Sequence, residues 1–527
     1  MIQHADALAS TQFDVLVIGG GVLGACVARD AALRGLQVAL VDRGDWGSET
    51  SANGLRIVHG GLRYLQHANI RRVRESIRER STWLRIAPHL VAPLPVLVPT
   101  HGLGVRSRIA LRTALVVNDA MSRDRNRGVA PDREIPSGRV LSRAECLSLV
   151  PEFEARNPSG AILFHDALMY SSERLVLETV MGAIDGGAVA ANYVEAIGPL
   201  RHSGRLAGVV ARERNAGGAM FDIRARYVVN CAGAVAPSLA ATLLGRDQSR
   251  RFPIVYTLAM NLGVESTGHT VAFAMSGGPR ARQLFVVPWR GQTLVGTAHV
   301  PYSGDLNVFE PPETEVEAFL SEVNAAWPSR AWTRADVRFV QAGLVPGRAN
   351  AAARTAQPDR HRWLVDHALD GEPSLVTVAS VKYTTARRVA EEAVDAVCGR
   401  LGGVAGPCRT ADTPLPGTPE GTVDALLRDA RRAHPGVAPP VLEHLVRSHG
   451  RRYADVIRVA DADPTWLDPI VEGTPVVYAQ FVHAARAEMA RTADDIIRRR
   501  TELGAVGRDT PAAWSLAEKA LSDGRRK

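Results

Sequence analysis

Three glycines and one aspartate carry the clearest chemistry in this sequence. Gly19, Gly21 and Gly24 are spaced GxGxxG, and Asp42 follows about 20 positions later. This pattern suits a pyrophosphate. Gly19 allows a tight turn, Gly21 lets the backbone approach a phosphate, and Gly24 lets a helix pack closely on a strand. Gly20, Val22 and Leu23 complete the stretch, so the first helical amides face the phosphates. Asp42 would accept a hydrogen bond from a ribose hydroxyl, with Arg43 beside it. The chemistry implied is the binding of a dinucleotide.

The flanking elements have the periodicity this requires. The apolar run Phe13 to Ile18 reads as a buried parallel strand. The helix after it carries Val22, Ala25, Cys26 and Val27 and stops at Gly35, and the run Leu36 to Val41 gives a second strand ending at Asp42.

Length and composition bound the rest. A chain of 527 residues is long enough for two or three domains. Five scattered cysteines form no CxxC pair, so reduced thiols, a cytoplasmic setting and no metal site are expected. The first residues lack the charged and apolar regions of a signal peptide, and no stretch approaches the roughly 20 apolar residues that span a bilayer. The net charge of +8 suits an anionic substrate, an anionic lipid surface or solubility alone. No zinc finger or RNP-type motif is present, and no nucleic-acid partner is expected.

After Asp42 the chain departs from a nicotinamide domain. A polar loop, residues 42–54, contains Thr50, Ser51 and Asn53, and suits a flavin ring laid along backbone amides. The strand that should return past the same nucleotide comes only at Arg226 to Gly233, ending in Ala232 and Gly233. A split nucleotide domain with an inserted substrate region points to FAD rather than NAD. The segment 187–197 reads as the strand whose Val194 backbone meets an adenine. Leu375 to Ala379 reads as a strand, and a helix starts near Thr384, aiming another N-terminus at the cofactor.

The expected architecture is α/β: a discontinuous Rossmann-type FAD-binding domain (1–88, 160–250 and 364–401) with an antiparallel, β-rich substrate domain (89–159 and 251–363). A Pro/Gly-rich linker (402–421), an all-α C-terminal domain (422–510) and a tail (511–527) follow. Residues 104–121 read as an amphipathic basic helix that could either pack on the core or lie on a membrane surface.

Taken together, IGGGVLG (Ile18 to Gly24), HGGLRYL (His59 to Leu65), KYTTAR (Lys382 to Arg387), TPLPG (Thr413 to Gly417) and the helical stretch Tyr478 to Leu503 resemble the FAD-dependent glycerol-3-phosphate dehydrogenase family. The resemblance runs from about Phe13 to Leu503. It implies a DAO-type flavoprotein fold with a helical C-terminal domain. It implies extended FAD, a secondary alcohol lying over the flavin, and hydride transfer to flavin N5 while a base takes the hydroxyl proton. Electrons would pass to a quinone or another acceptor, and a ketone would leave. The alternative is the same fold acting on another polyol phosphate, hydroxy acid or amine.

Residue by residue, the resemblance places substrate contacts on Arg63, Tyr64 and Arg360 and a lysine near the flavin at Lys382. It adds cofactor contacts on Arg56, His59, Gly60, Gly61, Val381 and Thr384. A guanidinium can grip a phosphate through two parallel bonds, and a lysine can polarise the reacting oxygen. This chain departs from the family pattern at Ser380 and Val381, at Val345, and in the stretch Tyr256 to Leu262, which contains no histidine. His299 is therefore the candidate replacement base. The expected partners are a small anionic substrate and an electron acceptor; a peripheral membrane contact and a homodimer are left open.

Overall fold

In the computed structural model the apolar run before Gly19 forms the centre of a mostly parallel sheet. The structure describes the chain except residues 1–2, 62–68, 103, 105–106, 215–216, 249–251, 253, 277–282, 308–309, 351–354, 359–361, 403–404, 502 and 525–527, with the backbone alone described at 3–5, 276, 348–350 and 355–358. The strand Gln12–Ile18 pairs in parallel with Val38–Asp42 on one side and Met220–Asn230 on the other. Leu375–Ala379 extends the sheet beyond the return strand, and Val189–Asn192 extends it beyond Asp42. The glycine turn therefore lies where the chain crosses from one side of the central strand to the other, the usual crevice for a ligand in such sheets.

Both faces of this sheet are covered, which is why its strands are continuously apolar. Val15 and Val17 pack with the helices Val22–Leu33, Ser172–Asp185 and Ala386–Leu401. Leu16 and Ile18 point the other way, into a cluster with Leu206, Val209 and Ile223 of an antiparallel meander.

A second sheet is largely antiparallel and is built from the intervening segments. Its long strands Val255–Glu265, Gln292–Tyr302 and Val337–Asn350 are adjacent. Leu258, Met260, Ala298, Val300, Ala342 and Leu344 point to one face and pack against the helix Glu313–Ala326. The alternate residues point to the opposite face. Gly160–Met169, expected in the nucleotide domain, belongs to this second sheet, where it pairs with Val91–Thr100 over ten residues. Its partners are distant in sequence, so its periodicity could not assign it to a sheet.

The C-terminal region is helical, as expected, and the helical packing continues into the segment expected as a tail, as far as Gly524. Pro511–Gly524 is a helix that buries Ala513, Ala517, Ala520 and Leu521. These residues recur at helical spacing, but alanines give little apolar contrast in sequence. The 402–421 segment is strapped down: the Arg29 guanidinium donates to the carbonyls of Thr410, Thr413 and Pro414, and Gly417 N donates to Glu178.

Buried ion pairs join the helical domain to the nucleotide domain. Asp45 accepts from Arg499 Nε at 2.6 Å and from Arg500 Nη1 and Nη2 at 2.6 and 2.9 Å. Arg174 donates to both oxygens of Glu488 at 2.8 Å and to His449 Nδ1 at 2.9 Å. His449, His483 and Glu488 are close enough for a shared cation, but the Arg174 guanidinium already takes up the carboxylate and one imidazole nitrogen.

Burial lowers the His444, His449 and His483 pKa values, that of His449 to about 4, with Arg174 adding to each effect. These imidazoles stay neutral in the folded protein, whereas the unfolded chain protonates below about 6.5. Their contribution is therefore complete above pH 6.5 and is lost as pH falls toward 4. The melting temperature should drop through that window, with His449 alone accounting for roughly 3 kcal/mol as an upper bound. A melting temperature that stays flat from pH 7 to pH 4.5 would contradict this assignment.

Candidate active site

The turn after the central strand is built by contacts that exclude side chains. A Cβ on Gly24 would lie 1.8 Å from the Gly19 carbonyl oxygen, and one on Gly20 would lie 2.2 Å from the Trp46 ring. Gly19 has φ +104° and presses on the Cys231 carbonyl of the return strand. At Gly21 the only atom within reach is Ser51 Oγ, at 3.2 Å. The glycines thus divide the work. Gly19, Gly20 and Gly24 hold strand, loop and helix together, while Gly21 borders open space.

That space is a cleft of about 300 Å³ running along the C-terminal ends of the parallel strands. Gly19, Gly21, Asp42, Arg43, Thr50, Ser51, Val194, Ala232 and Gly233 border it, all expected cofactor contacts. Asp42 is fixed by two amides, Gly20 N at 2.6 Å and Gly44 N at 2.7 Å. Arg43 donates to Asn307 at 2.7 Å and to Glu49 at 3.1 Å, so the rim is shared between the two sheets' segments. Val22 N donates to Ser51 Oγ at 3.0 Å, which ties the polar loop to the helix N-terminus. Leu23 packs its side chain into the core. A helix terminus, an open glycine and an acid at the strand end fit the pyrophosphate and ribose of FAD.

The remaining candidates gather where the polar loop meets the start of Ala386–Leu401. His59 N donates to Thr384 Oγ1 at 3.1 Å, and Trp83 Nε1 donates to the Thr384 carbonyl. The His59 ring, 41 % exposed, meets Asp166 Oδ2 through Nδ1 at 3.0 Å. Asp166 also accepts from Gly60 N at 2.6 Å and from Arg80 at 3.2 Å. Although burial opposes it, these contacts hold the Asp166 carboxyl below the usual carboxylate range. Gly61, at φ +88°, follows in the same turn. Lys382 Nζ donates to Ser76 Oγ at 2.9 Å, with Val381 half-buried beside it.

His299 lies on the sheet face turned toward this region. It is paired with Ala259, and Ala259 with Gly343. A Cβ on Gly343 would sit 3.0 Å from Thr50, so this row faces the polar loop. Two strand spacings separate His299 from Gly343, roughly 10 Å. The next row pairs Thr257 with Val345. Val345 is 7 % exposed, and Thr257 Oγ1 has no hydrogen-bond partner among the described residues.

One expectation is corrected. Arg56 does not border the cofactor cleft. It is fully buried, donates to Glu173 and Ser172, and stacks 4.7 Å from the Trp289 ring centre. Its carboxylate partner lies 117 positions away, beyond the reach of local pattern. Arg63, Tyr64 and Arg360 lie outside the described residues. Sequence reasoning missed Asp166, Ser76 and the cleft-lining Ser238 and Thr242. Asp166 alone left a trace, as an acid in an otherwise apolar strand.

Comparisons with known proteins divide the chain as the fold does. A family profile described as FAD dependent oxidoreductase matches residues 14–379, and one described as the C-terminal domain of alpha-glycerophosphate oxidase matches residues 408–520. The chain is an FAD-dependent oxidoreductase, with FAD as its cofactor. Glycerol-3-phosphate dehydrogenase of Synechocystis sp. is 31% identical over 512 residues, covering 95% of this chain and 90% of that protein. Glycerol-3-phosphate dehydrogenase 1 of Mycobacterium tuberculosis is 32% identical over 523 residues, covering 97% and 95%. Within its class, the chain belongs to the glycerol-3-phosphate dehydrogenase family. The X-ray structure of the Bacillus halodurans glycerol-3-phosphate dehydrogenase complexed with FAD shares the fold, with a TM-score of 0.73 at 22% identity over 99% of this chain and 96% of that one.

Two substitutions separate the glycine roles. Gly21→Val should leave a folded but colourless protein, because its side chain fills the phosphate space. Gly24→Ala should lower stability by about 3 kcal/mol, because its Cβ meets backbone. Flavin absorbance and thermal melting read the two effects. A fully flavin-loaded Gly21→Val protein would refute the placement.

Proposed function

We propose that this protein oxidises the secondary alcohol of sn-glycerol 3-phosphate to the ketone and passes the electrons to a quinone or similar acceptor. The observation that carries this reading is the whole-length similarity to proteins named glycerol-3-phosphate dehydrogenase, which includes the helical C-terminal domain. When bound, FAD supplies the two-electron acceptor. The chain's own residues supply binding and proton handling. Arg63, Tyr64 and Arg360 hold the anionic end of the substrate. Lys382, placed by Ser76, polarises the reacting oxygen. His299, on the loop-facing row, takes the hydroxyl proton on an imidazole nitrogen.

One observation favours a different substrate on the same fold. The row next to His299 presents Val345 and the orphaned Thr257 hydroxyl rather than a cation. That uncharged surface would meet an amine at little cost, whereas another polyol phosphate or a hydroxy acid would need its anion held by other residues.

Steady-state turnover with a dye acceptor tests the proposal. sn-Glycerol 3-phosphate should be the preferred substrate in a panel covering those classes. Arg360→Ala should raise its KM by roughly 10- to 100-fold through loss of a charged contact. Preference for another substrate would replace the proposal with the second reading, and an unchanged KM would remove Arg360 from the pocket.

A peripheral membrane contact has one structural support. Among the described residues no helix is long and apolar enough to cross a membrane. The helix Arg108–Met121 turns Leu111 and Leu115 inward but leaves Ile109, Val116 and Val117 79 %, 61 % and 42 % exposed, with the exposed Arg112 beside Ile109 and Val116 at helical spacing. Such a face suits an anionic bilayer surface. Ile109→Glu should weaken co-sedimentation with anionic vesicles, and undiminished binding would rule this helix out.

A further inference from the structure

A second cleft, away from the cofactor cleft, lies between the helices Ile70–Ile86 and Ala386–Leu401, closed at one side by residues 124 and 127. Its volume is about 650 Å³, and it is lined by eight arginines and five carboxylates. Each carboxylate is engaged by a guanidinium. Arg74 meets Asp124 through two bonds of 2.8 and 2.9 Å. Arg362 spans Glu75 and Glu392 at 2.7 and 2.6 Å. Arg387 grips Glu79 at 2.9 and 2.6 Å, and Arg388 meets Glu391 at 2.6 Å.

Of the other four, Arg85 meets Asp412 at 3.3 Å and donates to the carbonyls of Arg127 and Ala411, which leaves three. Arg71, Arg78 and Arg127 are exposed, and their guanidinium groups make no hydrogen bond or contact ion pair among the described residues. Eight arginines face five lining carboxylates, so the cleft walls carry a positive excess that Asp412, paired with Arg85, offsets only in part. A concave surface of one sign concentrates counter-ions, and guanidinium forks match the oxygens of phosphate. The paired arginines, locked by their carboxylates, make a fixed frame around the three that are available.

We infer that this cleft is a binding site for a compact, multiply charged phosphate ligand, separate from both the cofactor and the substrate. The ligand could be a soluble polyphosphate or the headgroup of an anionic lipid, which share this chemistry. The site adjoins the proposed reaction region. The helix that lines it carries Ser76, the partner of Lys382, and the helix facing it begins four residues after Lys382.

Isothermal titration of the FAD-loaded protein, whose cofactor cradle is filled, tests the inference. Inorganic pyrophosphate is one probe. Bis(glycerophospho)glycerol, the deacylated headgroup of a lipid with two phosphates and hence doubly charged, is the other. At least one should bind, with affinity falling tenfold or more in R71A/R78A/R127A while flavin content and melting temperature are unchanged. Tighter binding of pyrophosphate identifies a soluble phosphate as the source, and tighter binding of the headgroup identifies a lipid. Binding of neither probe, or equal binding by the triple variant, would overturn the inference.

Discussion

The structure depends on a backbone contact that only glycine permits. Gly24 lies against the Gly19 carbonyl so closely that a methyl group would stand 1.8 Å from the oxygen. This contact brings the first helix down onto the central strand. It also sets the helix N-terminus, the open edge at Gly21 and the Asp42 carboxylate along one cleft. The return strand pairs with the central strand from Gln12 to Ile18, so Ala232 and Gly233 arrive at the same place from more than 200 residues away. A wider approach at Gly24 would move all of these groups apart.

The other domains hold the polar loop over this cleft. Asp45 and Trp46 follow Asp42 immediately. Trp46 covers Gly20, while Asp45 is drawn into the arginines of the helical domain. Desolvation alone would raise the Asp45 carboxyl, yet Arg500 and Arg499 hold it far below the usual carboxylate range. On the other side, Thr50 donates to the Leu344 carbonyl at 2.9 Å and Gly343 presses on Thr50. The loop is thus pinned by a buried charge from one domain and by close backbone packing from another. This explains why the similarity to the family extends through the helical domain rather than stopping at the nucleotide fold.

Local periodicity made the nucleotide core legible in sequence. The strand Leu375–Ala379 begins and ends where its apolar run places it. Contacts between distant segments were not legible. Arg56 sits in the motif region, but its positive φ of 64° and its pairing with Glu173 turn it into the core. Gly160–Met169 has the pattern of a strand, yet only its partner, Val91–Thr100, decides which sheet it joins. The alanine-rich helix Pro511–Gly524 buries small residues whose contrast with their neighbours is weak. His59 and Asp166 are 107 positions apart, so the polarising pair beside Thr384 could be found only in three dimensions.

The cofactor cleft is bordered by glycine backbone and small polar residues, whereas the substrate face we propose relies on a few side chains. Two rows of that face, His299 with Gly343 and Thr257 with Val345, carry positions at which the sequence differs from what its resemblance to the family implies. The central claim joins these two surfaces into one reaction. Its most direct test is anaerobic titration of the yellow protein with sn-glycerol 3-phosphate, following the flavin visible band and the ketone formed. The account predicts bleaching of the flavin with one ketone per flavin reduced. An oxidised flavin that persists in saturating sn-glycerol 3-phosphate, while dithionite still bleaches it, would contradict the account.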